Sequence, residues 1–146
     1  MPFDFSQTYL YKMHKLTSSL DAAFDRNLRL HASIGLSQFT LLLSVQQHQP
    51  ASQRTVARFL GISPGAISRQ VELAQKQGFI SVKNSKDDRR SQTLTLTDSG
   101  ATKIKEGISV LEKYVFTIFK DDNAQSDLMG HINMLQNSID NLHHAD

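Results

Sequence analysis

The chain has 146 residues, of which 39% are apolar, and its 16 basic and 14 acidic side chains give a formal net charge of +2 at pH 7. This length and apolar content predict a single folded domain with an adequate core. The chain contains no cysteine, which excludes disulfides, thiol switches and thiolate metal sites. It also has no long apolar run and no signal-like start, so we expect a cytoplasmic protein with no membrane partner.

The first predicted element is a long amphipathic helix near the N-terminus. Apolar residues recur there every three or four positions, which places them on one face of a helix. They are Phe5, Tyr9, Met13, Leu16, Leu20 and Phe24.

A short helix is predicted after Ser52, whose side-chain oxygen can accept from the free amides of the first turn. Its apolar face consists of Val56, Ala57 and Leu60. Gly61 supplies the helix end, because a residue without a β-carbon enters the left-handed conformation at little cost.

A second helix begins directly afterwards. Ser63 is suited to its N-cap and Pro64 to its first position, where a missing amide hydrogen is not needed. The inner face has Ile67, Val71 and Ala74, and Gly78 ends the helix. Two helices joined by a short turn that contains glycine predict a helix-turn-helix, in which the second helix enters the DNA major groove.

A β-hairpin is predicted next, from residues 79–82 and 93–97, which are rich in β-branched and apolar side chains. Leu94 and Leu96 alternate with threonines, so they should share one face of the second strand. The connecting loop, 83–90, is long and basic, which suits contact with the minor groove or with phosphates.

Two further amphipathic helices are predicted near the C-terminus. One carries its apolar residues at positions 104, 108, 111, 115 and 118. The other has a seam like that of a coiled coil, formed by Leu128, Ile132, Leu135, Ile139 and Leu142. So many apolar faces favour dimerisation through the terminal helices, and the alternative is a helical bundle within one chain.

Four segments resemble the MarR family of bacterial transcription regulators: Leu60–Pro64, Gly78–Ile80, Asp88–Arg90 and Leu96–Gly100. The resemblance covers the whole chain. It implies a mainly α fold with a small β-hairpin wing, in which a winged helix-turn-helix is flanked by N- and C-terminal dimerisation helices. The expected organisation is one domain over 1–146, with the winged part at 36–97 and the dimerisation parts at 5–32 and 98–143.

The resemblance also implies a homodimer bound to pseudo-palindromic duplex DNA. In the wing, Arg90 would enter the minor groove and Asp88 would orient the loop. The sequence departs from the family pattern at Gln70 and Ala74, where relatives carry larger apolar residues, so this helix is expected to pack more loosely or to use Gln70 differently.

The charge distribution agrees with a DNA-binding surface. Residues 52–96 contain eight basic and three acidic residues, a balance of +5, and the rest of the chain therefore carries −3. A basic centre is typical of a phosphate-binding surface, although a solvated basic face is the alternative. The predicted DNA contacts are Ser52, Arg54, Ser63, Pro64, Gly65, Ala66, Ser68, Arg69, Lys86, Asp88, Arg89 and Arg90.

The family resemblance further implies a small-molecule effector site where the dimerisation helices meet the winged part. Its predicted lining is Phe24, Leu28, Phe39 and Leu43, for which a plain core role is the alternative. Six histidines are present without the spacing of a ligand set, so we predict no metal and no cofactor.

The sequence contains no glycine-rich phosphate loop and no legible cluster of Ser, His and acid, so an enzyme is not expected. The predicted function is a sequence-specific, DNA-binding transcriptional regulator, acting as a repressor that a ligand releases. Two alternatives stay open: a winged-helix module that binds protein, and a metal-binding or ligand-binding helical sensor that does not read DNA.

Overall fold

The computed structural model describes residues 4–84, 92–119 and 122–143. It is mainly helical with one small antiparallel sheet, which confirms the predicted fold class. After a short 3₁₀ turn at Phe5–Gln7, the elements in chain order are α1 (Tyr9–Ala32), α2 (Leu36–His48), β1 (Ala51–Ser52), α3 (Gln53–Leu60), α4 (Pro64–Lys76), β2 (Ile80–Asn84), β3 (Gln92–Leu96), α5 (Asp98–Ile118) and α6 (Asp122–His143).

The chain divides into two compact units, Met1–Leu111 and Glu112–Asp146, which we call the first and second units. The first unit contains the sheet and helices α1 to α4, and α5 begins in it. The assignment of 5–32 and 98–143 to dimerisation stays a prediction. Within the described ranges, no helix is both long enough and apolar enough to span a membrane.

The core of the first unit is assembled from every one of its long helices and from the sheet. Phe39 of α2 lies at its centre with only 2% of its surface exposed. A β-carbon at Gly107 of α5 would collide with the Phe39 ring, so glycine permits this close approach of α5 to α2. The other large apolar side chains that are fully buried in this core are Leu28, Leu41, Leu42, Val45, Val56, Ile67, Leu94 and Ile104.

The sheet has the order β1-β3-β2, and all its pairs are antiparallel. Leu94 of β3 lies opposite Ala51 on one side and Val82 on the other. Leu94 is completely buried and Leu96 half-buried, as the alternation in sequence predicts. The third strand, β1, was not predicted, because two residues are too few to show a strand pattern.

The predicted strand limits, 79–82 and 93–97, were wrong by one or two residues. Phe79 lies just before β2, and its amide donates to the Ala74 carbonyl at 2.9 Å at the end of α4. Thr97 lies just after β3, and its amide still donates to the Phe79 carbonyl at 3.1 Å. Its hydroxyl donates to the Gly78 carbonyl at 2.6 Å and accepts from the Gly100 amide at 3.1 Å, at the start of α5.

A tertiary contact fixes the junction between α1 and α2. Asp25 of α1 accepts from the Leu36 amide at 2.8 Å and pairs with Arg29 at 2.7 Å, so it caps a helix that has no side-chain cap of its own. The hydrogen bond from Arg29, followed by that from Leu36, lowers the pKa of Asp25. At the other end of the junction, Lys103 of α5 donates to the Ala32 carbonyl at 2.9 Å.

Candidate nucleic-acid interface

The helix-turn-helix forms through local signals that the sequence displays. The Ser52 hydroxyl accepts from the Thr55 amide at 3.1 Å, and the Ser63 hydroxyl accepts from the Ala66 amide at 3.2 Å. Gly61 adopts a left-handed φ of 64° between the two helices. These observations confirm the predicted caps and stop, and they show that Ser52 and Ser63 already hold helix ends in the free protein.

Helix α4, which we call the recognition helix, has one buried and one exposed face. Ile67, Val71 and Ala74 are buried as predicted, and Ser68 and Arg69 are exposed. A β-carbon at Gly65 would meet no atom within 4 Å, so packing in the protein does not require glycine at that position. The open surface there lets another molecule approach the backbone closely.

Gln70 and Ala74, the two positions at which the sequence differs from the family pattern, lie in different environments. Ala74 is completely buried in the core, so its small side chain is covered. Gln70 is half-buried, and its Oε1 atom is buried without a hydrogen-bond partner among the described residues. A buried acceptor without a partner is costly, which marks Gln70 as a position able to accept a hydrogen bond from a ligand.

Three arginines are exposed around the helix-turn-helix: Arg54, Arg58 and Arg69. Within the part of the chain that the structure describes, none of them forms an ion pair with a carboxylate. By contrast, Lys76 at the far end of α4 pairs with Glu72 at 2.8 Å, which lowers the pKa of Glu72. Arg69 lies on the recognition helix, and Arg54 lines a cleft with Pro64 and Ile67 at the start of that helix.

The hairpin presents Lys83, which is exposed on β2. Lys83 was not among the predicted DNA contacts, and four residues that were, Lys86, Asp88, Arg89 and Arg90, lie outside the described residues. Of the remaining predicted contacts, Pro64 is exposed at the start of α4 and Ala66 is half-buried.

A polar bridge that the sequence did not predict joins the helix-turn-helix to the hairpin. Gln53, the first residue of α3, donates from Nε2 to Oε1 of Gln92 at 2.8 Å. Its Oε1 accepts from the Ser68 hydroxyl at 3.3 Å. The partners lie 39 and 15 residues away, so no local pattern could have revealed this bridge.

The predicted effector residues occupy different environments. Leu28 and Phe39 are buried in the core, whereas Phe24 and Leu43 are half-buried. Their role in ligand binding stays a prediction. A separate open cleft of about 270 Å³ lies among α1, α2, the end of α3 and α4, and is lined by Asp21, Leu36, Ser37, Thr40, Leu60, Ile62 and Gln70.

His48 and His131 form separate local contacts. His48 lies with Nδ1 2.9 Å from the Ser44 carbonyl and its ring 4.7 Å from the Phe59 ring, and His131 contacts the Asp127 carbonyl. Within the described ranges, no three His, Cys, Asp or Glu residues form a group that could hold a metal ion.

Helices α1 and α6 each have an exposed apolar face, and Ile108, Phe116 and Ile118 of α5 are exposed as well. In α1, Tyr9, Leu10, Met13 and Leu16 are exposed, although they follow a regular apolar spacing. In α6, the same is true of Leu128, Ile132 and Ile139, while Leu135 is half-buried. Each of these faces, taken by itself, is suited to contact with another apolar surface.

The fold, together with the exposed Arg54, Arg58 and Arg69, defines a winged helix-turn-helix protein. Residues 33–91 match the model of the MarR family, and they span the helix-turn-helix and the hairpin. The resemblance found in the sequence is thus confirmed: the winged helix-turn-helix segment of this chain belongs to the MarR family.

Comparisons with individual proteins, by sequence and by structure, are consistent with this family. An HTH-type transcriptional regulator of Bacillus cereus is 27% identical over 85 residues, which are 58% of this chain and 56% of the relative. The crystal structure of MarR superposes with a TM-score of 0.83 over all of both chains at 18% identity. A complex of MepR from S. aureus with DNA has a TM-score of 0.77 at 18% identity, covering 90% of this chain and 98% of MepR.

Proposed function

We propose that the protein is a sequence-specific transcriptional regulator that binds pseudo-palindromic duplex DNA as a homodimer. The observation that carries this proposal is the set of exposed arginines, Arg54, Arg58 and Arg69, that lack carboxylate partners among the described residues of a MarR-family helix-turn-helix. Guanidinium groups bind phosphates and guanine edges in a bidentate way. The fold of a MepR–DNA complex supports the same role.

In this proposal the N-terminal half of the recognition helix enters the major groove. Gly65 presents an open backbone surface, and Ser68 and Arg69 follow on the exposed face. Arg54, at the start of α3, is exposed and suited to a phosphate contact. The hairpin reaches towards the minor groove, where Arg90 would insert, Asp88 would orient the loop, and Lys86 and Arg89 would contact phosphates.

The homodimer is proposed because the apolar faces of α1 and α6 are uncovered. Exposed apolar side chains at helical spacing favour association, since burying each one stabilises the assembly. A two-fold protein also matches a two-fold DNA site, with half-sites separated by one helical turn.

We also propose that a small molecule relieves repression. The cleft of about 270 Å³ supports this idea, because it joins α1 and α2 to the recognition helix and contains the unpartnered Oε1 of Gln70. Asp21, Ser37 and Thr40 add oxygen atoms to an otherwise apolar lining. Such a lining suits a small apolar molecule with hydrogen-bond donors, and Gln70→Leu should weaken its effect on DNA binding.

We further propose that the protein acts in the cytoplasm, without a cofactor and without catalysing a reaction. A regulator that binds the chromosome must be in the same compartment as the DNA. The binding role alone accounts for the exposed basic face and for the apolar helix faces.

Selection of duplexes from a random library by the purified protein tests the proposal. We expect two inverted half-sites about 10 base pairs apart from centre to centre. Affinity for the selected duplex should fall with added salt, with a slope of about −0.9 for each phosphate contacted. A matched control is Arg26→Ala on exposed α1, which should leave affinity unchanged where Arg69→Ala lowers it.

The two alternatives predict different results in the same experiment. A winged-helix module that binds protein would select no duplex and show no salt-dependent binding to DNA. A helical sensor that does not read DNA would bind small molecules, while Arg69→Ala left its function unchanged.

A further inference from the structure

We propose that Gln53 is a positioning residue that holds the recognition helix and the β2–β3 hairpin in a fixed relation before DNA binds. This inference rests on the proposed DNA-binding function. It assigns a role to a residue that lies outside the set predicted to contact DNA.

The position of Gln53 makes this bridge possible. Strands β1 and β3 pair Ala51 with Leu94 and Ser52 with Thr93. The same antiparallel register, continued by one residue, places Gln53 beside Gln92, and their side chains meet at 2.8 Å. The strand register therefore brings Gln53 next to the first residue of β3, and the side-chain hydrogen bond joins the two residues.

The second contact of Gln53 reaches the exposed face of the recognition helix. Its Oε1 accepts from the Ser68 hydroxyl at 3.3 Å, and Ser68 precedes Arg69, a predicted base contact. One amide group thus connects α3, α4 and β3, because it donates from one atom and accepts at the other. The connection lies on the outer side of α4, where the core residues Ile67 and Val71 do not reach.

The bridge is better explained by DNA binding than by folding stability. Gln92 and Ser68 are exposed, and an exposed side-chain hydrogen bond contributes little to stability, because water replaces it easily. For binding, the two DNA-contacting elements must engage the duplex together. Fixing their relation in advance reduces the conformational freedom lost when DNA binds, which strengthens affinity.

A double-mutant cycle on the selected duplex tests this role. Gln53→Ala and Gln92→Ala should each weaken binding about 3- to 10-fold, and the double variant should be no weaker than the stronger single one. Gln53→Met should behave like Gln53→Ala, since it keeps the side-chain length but forms no hydrogen bonds. The matched control is Gln75→Ala, on the exposed distal part of the recognition helix, which should leave affinity unchanged.

A direct contact between Gln53 and DNA would give a different pattern. Gln53→Ala and Gln92→Ala would then be additive, or Gln92→Ala would have no effect, and either result overturns the proposal. Melting temperatures of all variants should stay close to that of the wild type. A large drop with Gln53→Met would instead assign Gln53 to folding stability.

An NMR measurement tests the bridge without DNA. Ser68→Ala should shift the backbone amide signal of Gln92 in the wild-type background and leave it unchanged in Gln53→Ala. An unshifted Gln92 signal in both backgrounds contradicts the bridge. If the wild type binds no duplex, the proposed function fails, whereas the NMR result still decides whether Gln53 connects the two elements.

Discussion

The segment from α2 to β3 and the two helices α1 and α6 use the same apolar residue types in different ways. In the first region, Leu41, Leu42 and Val56 are completely buried by their own chain. In α1, Leu16 keeps 54% of its surface exposed, and in α6 Ile139 keeps 49%. Apolar periodicity therefore predicts a helix and its apolar face, but it does not show whether the same chain covers that face.

Charged residues show a parallel contrast within the first unit. At the junction of α1, α2 and α5, Asp25 is paired with Arg29 and Lys103 with Glu106. Around the start of the recognition helix, Arg54 and Arg69 have no carboxylate partner among the described residues. Paired charges hold elements together, whereas unpaired ones are available to a ligand of opposite charge.

The largest expected effect comes from a charge placed on the exposed apolar face of α6. Ile132→Asp should convert the proposed dimer to monomers, because burying an ionised carboxylate costs several kcal/mol and a two-fold interface contains the change twice. Light scattering across a micromolar concentration series measures the change, and binding to the selected duplex should be lost with it. Asn133→Asp, one residue away on the exposed surface of α6, is the control.

A wild type that is monomeric at these concentrations, or an Ile132→Asp variant that still dimerises, contradicts dimerisation through α6.

The second prediction compares a core residue with an exposed one. Phe39→Ala should lower the free energy of unfolding by about 3 to 5 kcal/mol, because it leaves a cavity against Gly107. Leu16→Ala should cost less, and its cost should depend on protein concentration if α1 contributes to a dimer. Urea unfolding at two protein concentrations distinguishes the two effects. If both variants lowered the free energy of unfolding by the same amount at both protein concentrations, the proposed difference between the covered core and the exposed face of α1 would be wrong.

Most of the helix-turn-helix could be predicted from the sequence because its signals are local. Gly61 ends α3, and Ser63 and Pro64 start α4, each through the backbone geometry of one or two residues. The buried face of α4 follows from helical spacing alone. These signals and the alternation of the strands predicted the helix-turn-helix and the hairpin, whereas the family resemblance supplied the complete fold class.

The features that were missed depend on residues distant in sequence. Asp25 caps α2 from eleven residues away, and Gln53 reaches Gln92 across 39 residues. At the strand limits, Phe79 and Thr97 also form hydrogen bonds with the end of α4 and the start of α5. The environment of Phe39, a predicted effector residue, depends on the close approach of α5, which the sequence does not show.

The third prediction concerns the unpaired charges. Arg69→Ala should weaken binding to the selected duplex by about 1 to 3 kcal/mol, and it should weaken non-specific binding less, since a bidentate contact with guanine is lost. Lys76→Ala is a matched control in the same helix, because Lys76 is paired with Glu72. Titrations on selected and scrambled duplexes measure both. Equal losses on the two duplexes would identify Arg69 as a phosphate contact.

The smallest expected effect tests the paired charges at the α1–α2 junction. Because the pKa of Asp25 is lowered in the folded protein, ionised Asp25 stabilises the fold above its unfolded pKa, close to the ordinary aspartate value of 3.8. That contribution is lost as the pH falls through the lower, folded pKa. The stability difference between the wild type and Asp25→Asn should therefore be largest near pH 7 and decrease below about pH 4. Urea unfolding from pH 7 to pH 2.5 measures this difference.

Arg29→Gln removes the largest cause of the lowered pKa of Asp25, so it should shift the acid-induced loss of stability to higher pH. A pH-independent difference between the wild type and Asp25→Asn would show that the cap works as a neutral hydrogen bond, without a contribution from charge.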